Sequence, residues 1–144
     1  YQSLRQEQMV RAATQALYTD VMLLKSEAVK RNQTLNLLLF NSGASNWCYR
    51  VHVDGSCNSC ADACSSIEGR KGVDASEFPG ITLVASYSES ATNIRPLSIS
   101  PRRGSLTAGN IEVSSGIHIM RVVTNNVGRV RTCAVSNISG VPTC

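Results

Sequence analysis

Aromatic side chains are scarce: Phe, Trp and Tyr together make up 5% of the 144 residues. A core built from this chain must therefore rest on Leu, Ile, Val and Ala. Proline is also rare, with four residues, and no segment is repetitive or of low complexity. No stretch reaches the ~18 consecutive apolar residues that a membrane-spanning helix needs. The signatures of common catalysts are missing as well: there is no G-x-S-x-G, no H-E-x-x-H, no P-loop and no G-x-G-x-x-G. His52 and His118 stand in strand-like segments without an acid at motif spacing, and the carboxylates are scattered rather than paired. These absences predict a protein that is not an enzyme and needs no cofactor.

Acidic residues are missing from one region in particular. Residues 1–94 carry eight Lys/Arg against nine Asp/Glu, a net −1, whereas residues 95–144 carry six Arg and the single acid Glu112, a net +5. The formal net charge of +4 therefore sits wholly in the last third. Those cations are all arginine, whose planar fork suits phosphate and carboxylate. A polyanion partner is one reading and a solvated basic surface that favours solubility is the other.

What remains is ordinary globular material. Hydrophobic residues make up 42% and charged residues 17%, enough for one domain spanning residues 1–144 with its own core. The six cysteines (48, 57, 60, 64, 133 and 144) imply disulfides and an oxidising compartment. Six cysteines allow 15 pairings, and spacing does not choose among them.

The hydrophobic period divides the chain in two. Val10, Ala13, Leu17, Val21, Leu24 and Ala28 form one stripe at spacings of three and four, which predicts a single helix over residues 2–32 ending near Asn32. At 1.5 Å per residue such a helix is ~45 Å long, so its N-terminal end is expected to project. The chain starts at Tyr1 without a signal peptide and no N-cap precedes the stripe, which predicts a helix that begins upstream. After residue 33 the period shortens to two. Strands are expected at Leu35–Asn41, Trp47–Val53, Ile81–Tyr87, Leu97–Ser100, Asn110–Ser114, Ile117–Thr124 and Arg129–Val135. Asp54–Phe78 reads as a long Cys-rich loop, and Ser136–Cys144 as a loop too. One helix followed by a run of strands predicts an α+β fold, the helix packed on antiparallel sheet.

Two side-chain groups suggest chemistry. Cys57, Cys60 and Cys64, with Cys48 nearby, have the spacing of an all-cysteine zinc site; in an exported chain the favoured reading is local disulfides that staple the loop to the first hairpin. A redox role for Cys57-x-x-Cys60 would need a βαβ setting, which is absent. Cys133 and Cys144 bracket the tail, and a bridge between them would tether it. The second group is Gly128-Arg129-Val130-Arg131, which leaves a turn around Asn125–Gly128 and enters a strand. Residues at i and i+2 share a face, so Arg129 and Arg131 project together with Val130 toward the core. Arg102, Arg103 and Arg121 would add to this patch if the fold gathers them. No aromatic is interleaved, which disfavours base stacking on single strands.

Three segments resemble a known family. Leu24-Lys25-Ser26-Glu27-Ala28-Val29-Lys30-Arg31-Asn32-Gln33-Thr34-Leu35 resembles the helix-to-first-strand junction of the GspH/FimT group of type IV pilin-like proteins. Leu97-Ser98-Ile99-Ser100-Pro101-Arg102-Arg103-Gly104-Ser105 resembles the strand and turn that follow, and Gly128-Arg129-Val130-Arg131 resembles the G-R-x-R motif of the FimT branch. The Cys-rich loop has no counterpart in that pattern. The resemblance implies a pilin-like fold, with residues 1–33 a truncated pilin helix and 34–144 a β-rich head, which the cysteine count predicts to be disulfide-stapled. It implies a minor pilin that helps prime or cap a pilus, works with other pilins, faces the periplasm or the cell surface, and is anchored in the inner membrane by an upstream helix after leader cleavage and N-terminal methylation. In the FimT branch the G-R-x-R arginines are linked to double-stranded DNA and natural transformation, which makes Arg129 and Arg131 the expected DNA-binding residues, with Arg102 and Arg103 as helpers. A GspH-type pseudopilin of type II secretion, or a tip subunit without a DNA role, are the other readings.

Overall fold

The apolar stripe winds into a helix, α1 (Gln2–Arg31), in the computed structural model, which describes residues 2–53, 57–61, 67, 72–89, 93–102, 105–136, 138 and 140–144. All six stripe residues are buried, none more than 4% exposed. Asn32 ends the helix in the left-handed region at φ 51°. There the Asn32 N–H donates to Val29 O (3.2 Å) and the Gln33 N–H to Ala28 O (3.1 Å), the hydrogen-bond pair of a Schellman cap. Asparagine tolerates this conformation better than most residues. Lys30 and Arg31 in the last turn complement the helix dipole. Arg31 also donates to Glu27 at 2.8 Å and holds that carboxyl below its usual range. At the other end Leu4 is exposed and Gln6 lies against Gly116, and Val10 is the first buried side chain among those described. No helix of the described residues is long and apolar enough to cross a membrane.

Among the described residues eight strands follow: β1 (Leu35–Phe40), β2 (Cys48–His52), β3 (Gly72–Asp74), β4 (Thr82–Ala85), β5 (Ile94–Ile99), β6 (Gly109–Ser115), β7 (His118–Thr124) and β8 (Val130–Ala134). They make two antiparallel sheets, ordered β3-β2-β1-β5 and β4-β6-β7-β8. The helix packs on the inner faces of both, against β1 and β5 of the first and β6, β7 and β8 of the second. The α+β, helix-on-sheet expectation therefore holds. Buried polar ties cross this core: the Tyr49 hydroxyl donates to the Asp20 carboxylate on the helix, and the Trp47 Nε1–H donates to Ile81 O at 2.7 Å.

Two local differences from the sequence expectation have physical causes. The segment read as a loop from Asp54 to Phe78 contains β3 and a 3-10 turn, Ala75–Glu77. Three residues are too few to show a period, and β3 exists because Cys48, Tyr49 and Arg50 pair with Asp74, Val73 and Gly72. Glycine is required at position 72, where φ is +141° and a Cβ would lie 2.0 Å from Tyr49 O. In addition β5 starts at Ile94 rather than Leu97, running through Pro96. Proline is tolerated there because β5 is an edge strand and Ser98, two residues on, directs its N–H and C=O to Thr107, away from β1. Pro96 shares that outward direction, so its missing donor costs the ladder nothing.

The outer face of the first sheet is covered. Leu38 and Phe40 point away from the helix and form a second apolar cluster with Cys48, Cys57 and Ile94. The Cys48–Cys60 disulfide (Cα–Cα 6.0 Å) fastens the covering loop. Arg50, 1% exposed, sits beneath it, donating to the carbonyls of Tyr49, Val73 and Cys60 and pairing with Asp74.

Tyr87 closes the far end of the core. Thr124 donates its hydroxyl proton to Thr107 O at 2.6 Å, so Tyr87 must be the donor in its 2.8 Å contact with Thr124 Oγ1. Burial raises the Tyr87 pKa above its usual value of 10.0. A raised folded-state value means this contribution is complete below pH ~10 and is lost as pH rises further. Tyr87→Phe is expected to cost about 1 kcal/mol at neutral pH and to flatten the loss of stability above pH ~10, measured by denaturant melts across pH.

Candidate nucleic-acid interface

The β7–β8 hairpin is built by its turn. Asn125 accepts the Gly128 N–H at its carbonyl (3.2 Å), and its side-chain Oδ1 accepts the N–H groups of Val127 (3.1 Å) and Arg129 (2.9 Å). Gly128 takes φ 86°, a region open to glycine and closed to most side chains. The turn is then tied to the helix, because Lys25 Nζ donates to Gly128 O. The result is a fixed ramp into β8, with Arg129 at its foot and Arg131 opposite Val123.

Arg129 and Arg131 are both exposed, and among the described residues neither has an acidic partner. Val130 between them packs against the core, as the alternation predicts. Arg102 is exposed on the turn after β5. Hydrogen bonds place it at the same end of the molecule as the hairpin root: Thr124 bonds to Thr107 O, Thr107 to Ser98, and Ser100 to both Ser105 and Arg102. Arg103 lies outside the described residues. Arg121 does not join the patch, because its Nε and Nη2 both bond Glu112 Oε2, at 3.1 and 3.0 Å. The two face each other across β6 and β7, a pairing that alternation alone does not reveal. Arg95 is likewise engaged, by Tyr87 O and Glu89.

The tail is fastened beside the patch. Cys133 and Cys144 form a disulfide, Cα–Cα 4.9 Å, and the tail pairs with β8 through Ala134 and Thr143. Cys57 is disulfide-bonded too, Cys64 lies outside the described residues, and no described cysteine is free. The all-cysteine zinc alternative therefore fails, since thiols joined in disulfides are no longer thiolate ligands. Lys25 makes a contact with the hairpin that the sequence does not show. It lies within the helix-to-strand junction, but nothing local links it to Gly128, over a hundred positions away.

A long helix laid across two antiparallel sheets, with a disulfide-fastened tail, defines a pilin-like subunit. Residues 13–128 match the family model for type II transport protein GspH, and the chain belongs to that family of pilin- and pseudopilin-like subunits. Comparison with curated proteins and with solved structures returns no match. The family match ends at Gly128, so Arg129 and Arg131 fall just beyond it.

The Cys133–Cys144 bridge closes a separation of 11 residues, for which loop entropy predicts about 3 kcal/mol of stabilisation. The double variant Cys133→Ser/Cys144→Ser is expected to lose about that much in thermal unfolding. Because the described tail residues from Pro142 to Cys144 pair with β8 near Ala134 and not with β7, the hairpin amides of β7 should keep their exchange protection.

Proposed function

We propose that this subunit is a minor pilin of the FimT/FimU kind, assembled with other pilins into a type IV pilus at the cell surface, and that it binds double-stranded DNA through phosphate contacts. Arg129 and Arg131 carry the binding, with Arg102 and Arg103 as helpers. One observation supports this most directly: two exposed arginines without a described acidic partner sit on a hairpin braced by Gly128 and Lys25. A fixed pair of guanidinium groups meets successive phosphates with less ordering cost than mobile side chains do. Contacts of this type position a protein on the duplex without reading its sequence. The hairpin has no aromatic residue, which favours the duplex backbone over stacked single strands.

The description of the matched family favours a second reading, a pseudopilin of type II secretion in which the same arginines form a solvated surface. Duplex binding separates the two. Neutralising about two to three phosphates should give a log–log salt slope of roughly −2 to −3. Fluorescence anisotropy on a labelled duplex should show this slope, with binding lost in Arg129→Ala/Arg131→Ala. No binding by the wild-type chain at low salt would falsify the DNA reading and leave the pseudopilin and the tip subunit without a DNA role.

A further inference from the structure

Sheet edges expose backbone donors and acceptors that pair with any extended chain unless they are blocked. Three of the four edges here are blocked among the described residues. On β4, Leu83 O accepts the Gly43 N–H at 2.7 Å and the Ala85 N–H donates to Ser42 Oγ at 3.0 Å, so the β1–β2 loop covers that edge. On β5, Pro96 removes a donor and residues 105–107 bond Ser98 and Ser100. On β3 the strand is three residues long, and the outward Asp74 N–H donates to Glu77 Oε2 at 2.9 Å.

The fourth edge is β8. Its register with β7 is uniform, from Thr124 opposite Val130 to Met120 opposite Ala134. Arg129 O accepts the Asn125 N–H and the Val135 N–H donates to Ile119 O, so the odd residues of β8 bond to β7. Ala134 turns the other way: its N–H donates to Pro142 O at 2.8 Å and its O accepts the Cys144 N–H at 3.1 Å. By the alternation of an antiparallel ladder, Val130 and Thr132 also direct N–H and C=O outward. Among the described residues the tail, held by the Cys133–Cys144 bridge, bonds the outward edge of β8 at Ala134 alone. Four backbone groups, at Val130 and Thr132, are left without a described partner.

The geometry points to β8 as the acceptor for an added strand from a neighbouring subunit, an extended segment in which acidic and apolar residues alternate. Charge and pleat together define that occupant. An incoming strand places alternate residues on the two faces of the sheet. On the outer face they meet Arg129 and Arg131, which select carboxylates. On the inner face they meet Val130, packed on the core, and half-buried Thr132, which select apolar side chains. Main-chain bonds supply the adhesion and the side-chain alternation the choice of partner. The inference uses the same arginines as the DNA reading but needs the backbone edge, which phosphate binding does not.

That difference gives the test. The probe is a synthetic peptide of alternating Val and Glu, with a Val and Lys peptide as control, titrated into the intact chain while amide exchange is followed. The amides of Val130 and Thr132 are expected to exchange rapidly alone and to become protected with the acidic peptide only. Thr132→Pro removes an outward donor and no β7 bond, so it should fold, weaken the acidic peptide about tenfold or more, and leave duplex binding unchanged. Arg129→Ala/Arg131→Ala should weaken both ligands. The proposal is overturned if those two amides stay unprotected at saturating peptide, or if folded Thr132→Pro binds the peptide as wild type does. Should Thr132→Pro fail to fold, the exchange result on the wild-type chain decides alone.

Discussion

One helix face serves two sheets, and every other feature rests on that arrangement. Val10, Ala13, Leu17, Val21, Leu24 and Ala28 supply a single stripe against which β1 and β5 close from one side and β6, β7 and β8 from the other. Burying each larger aliphatic side chain contributes about 1.5–3 kcal/mol. With aromatics scarce, these aliphatic residues and their partners Leu35, Leu37, Leu97, Val113 and Val122 form the bulk of the core. Among the described residues neither sheet has another α-helix to pack on, so loss of the stripe would expose both. The tie from Tyr49 to Asp20 works within the same constraint, fixing how the first sheet is seated along the helix.

The outward faces of the two sheets follow different rules. The first is apolar enough at Leu38, Phe40 and Ile94 to need a cover, and the Cys-rich loop with its disulfide and buried Arg50 provides one. A guanidinium that deep is tolerated because it meets three carbonyls and a carboxylate. The second sheet turns Thr82, Glu112, Ser114 and Arg121 outward, with Glu112 and Arg121 neutralising each other. Val84, opposite Glu112 on that face, stays exposed. The charge surplus of the last third therefore reaches solvent at β8, at its hairpin and at Arg102 on the turn after β5.

The hairpin shows how a fold converts two flexible side chains into a defined surface. Asn125 and Gly128 set the turn, Lys25 ties it to the helix, and the disulfide limits how far the tail spreads along β8. Arginine beside an open strand edge also discourages indiscriminate pairing between like copies. The same two residues therefore repel identical edges.

Local pattern alone determined much of this protein. The stripe at three-four spacing placed the helix to within a residue at Arg31, Asn32 marked its stop, and period-two alternation placed seven of the strands, because these features depend on neighbours in the chain. The pair Arg129 and Arg131 was legible for the same reason, as i and i+2 residues share a face. Contacts between distant segments were decided by the tertiary structure. β3 forms only because β2 is there to pair with it, Arg121 is cancelled by a Glu112 on the adjacent strand, and Lys25 reaches Gly128 across the core. Cysteine spacing left 15 pairings open, and the fold brought Cys48 to Cys60 and Cys133 to Cys144. Which strand edge stays open depends on where loops from other parts of the chain come to rest. No periodicity carries that information, because it arises from the packing of both sheets on one helix.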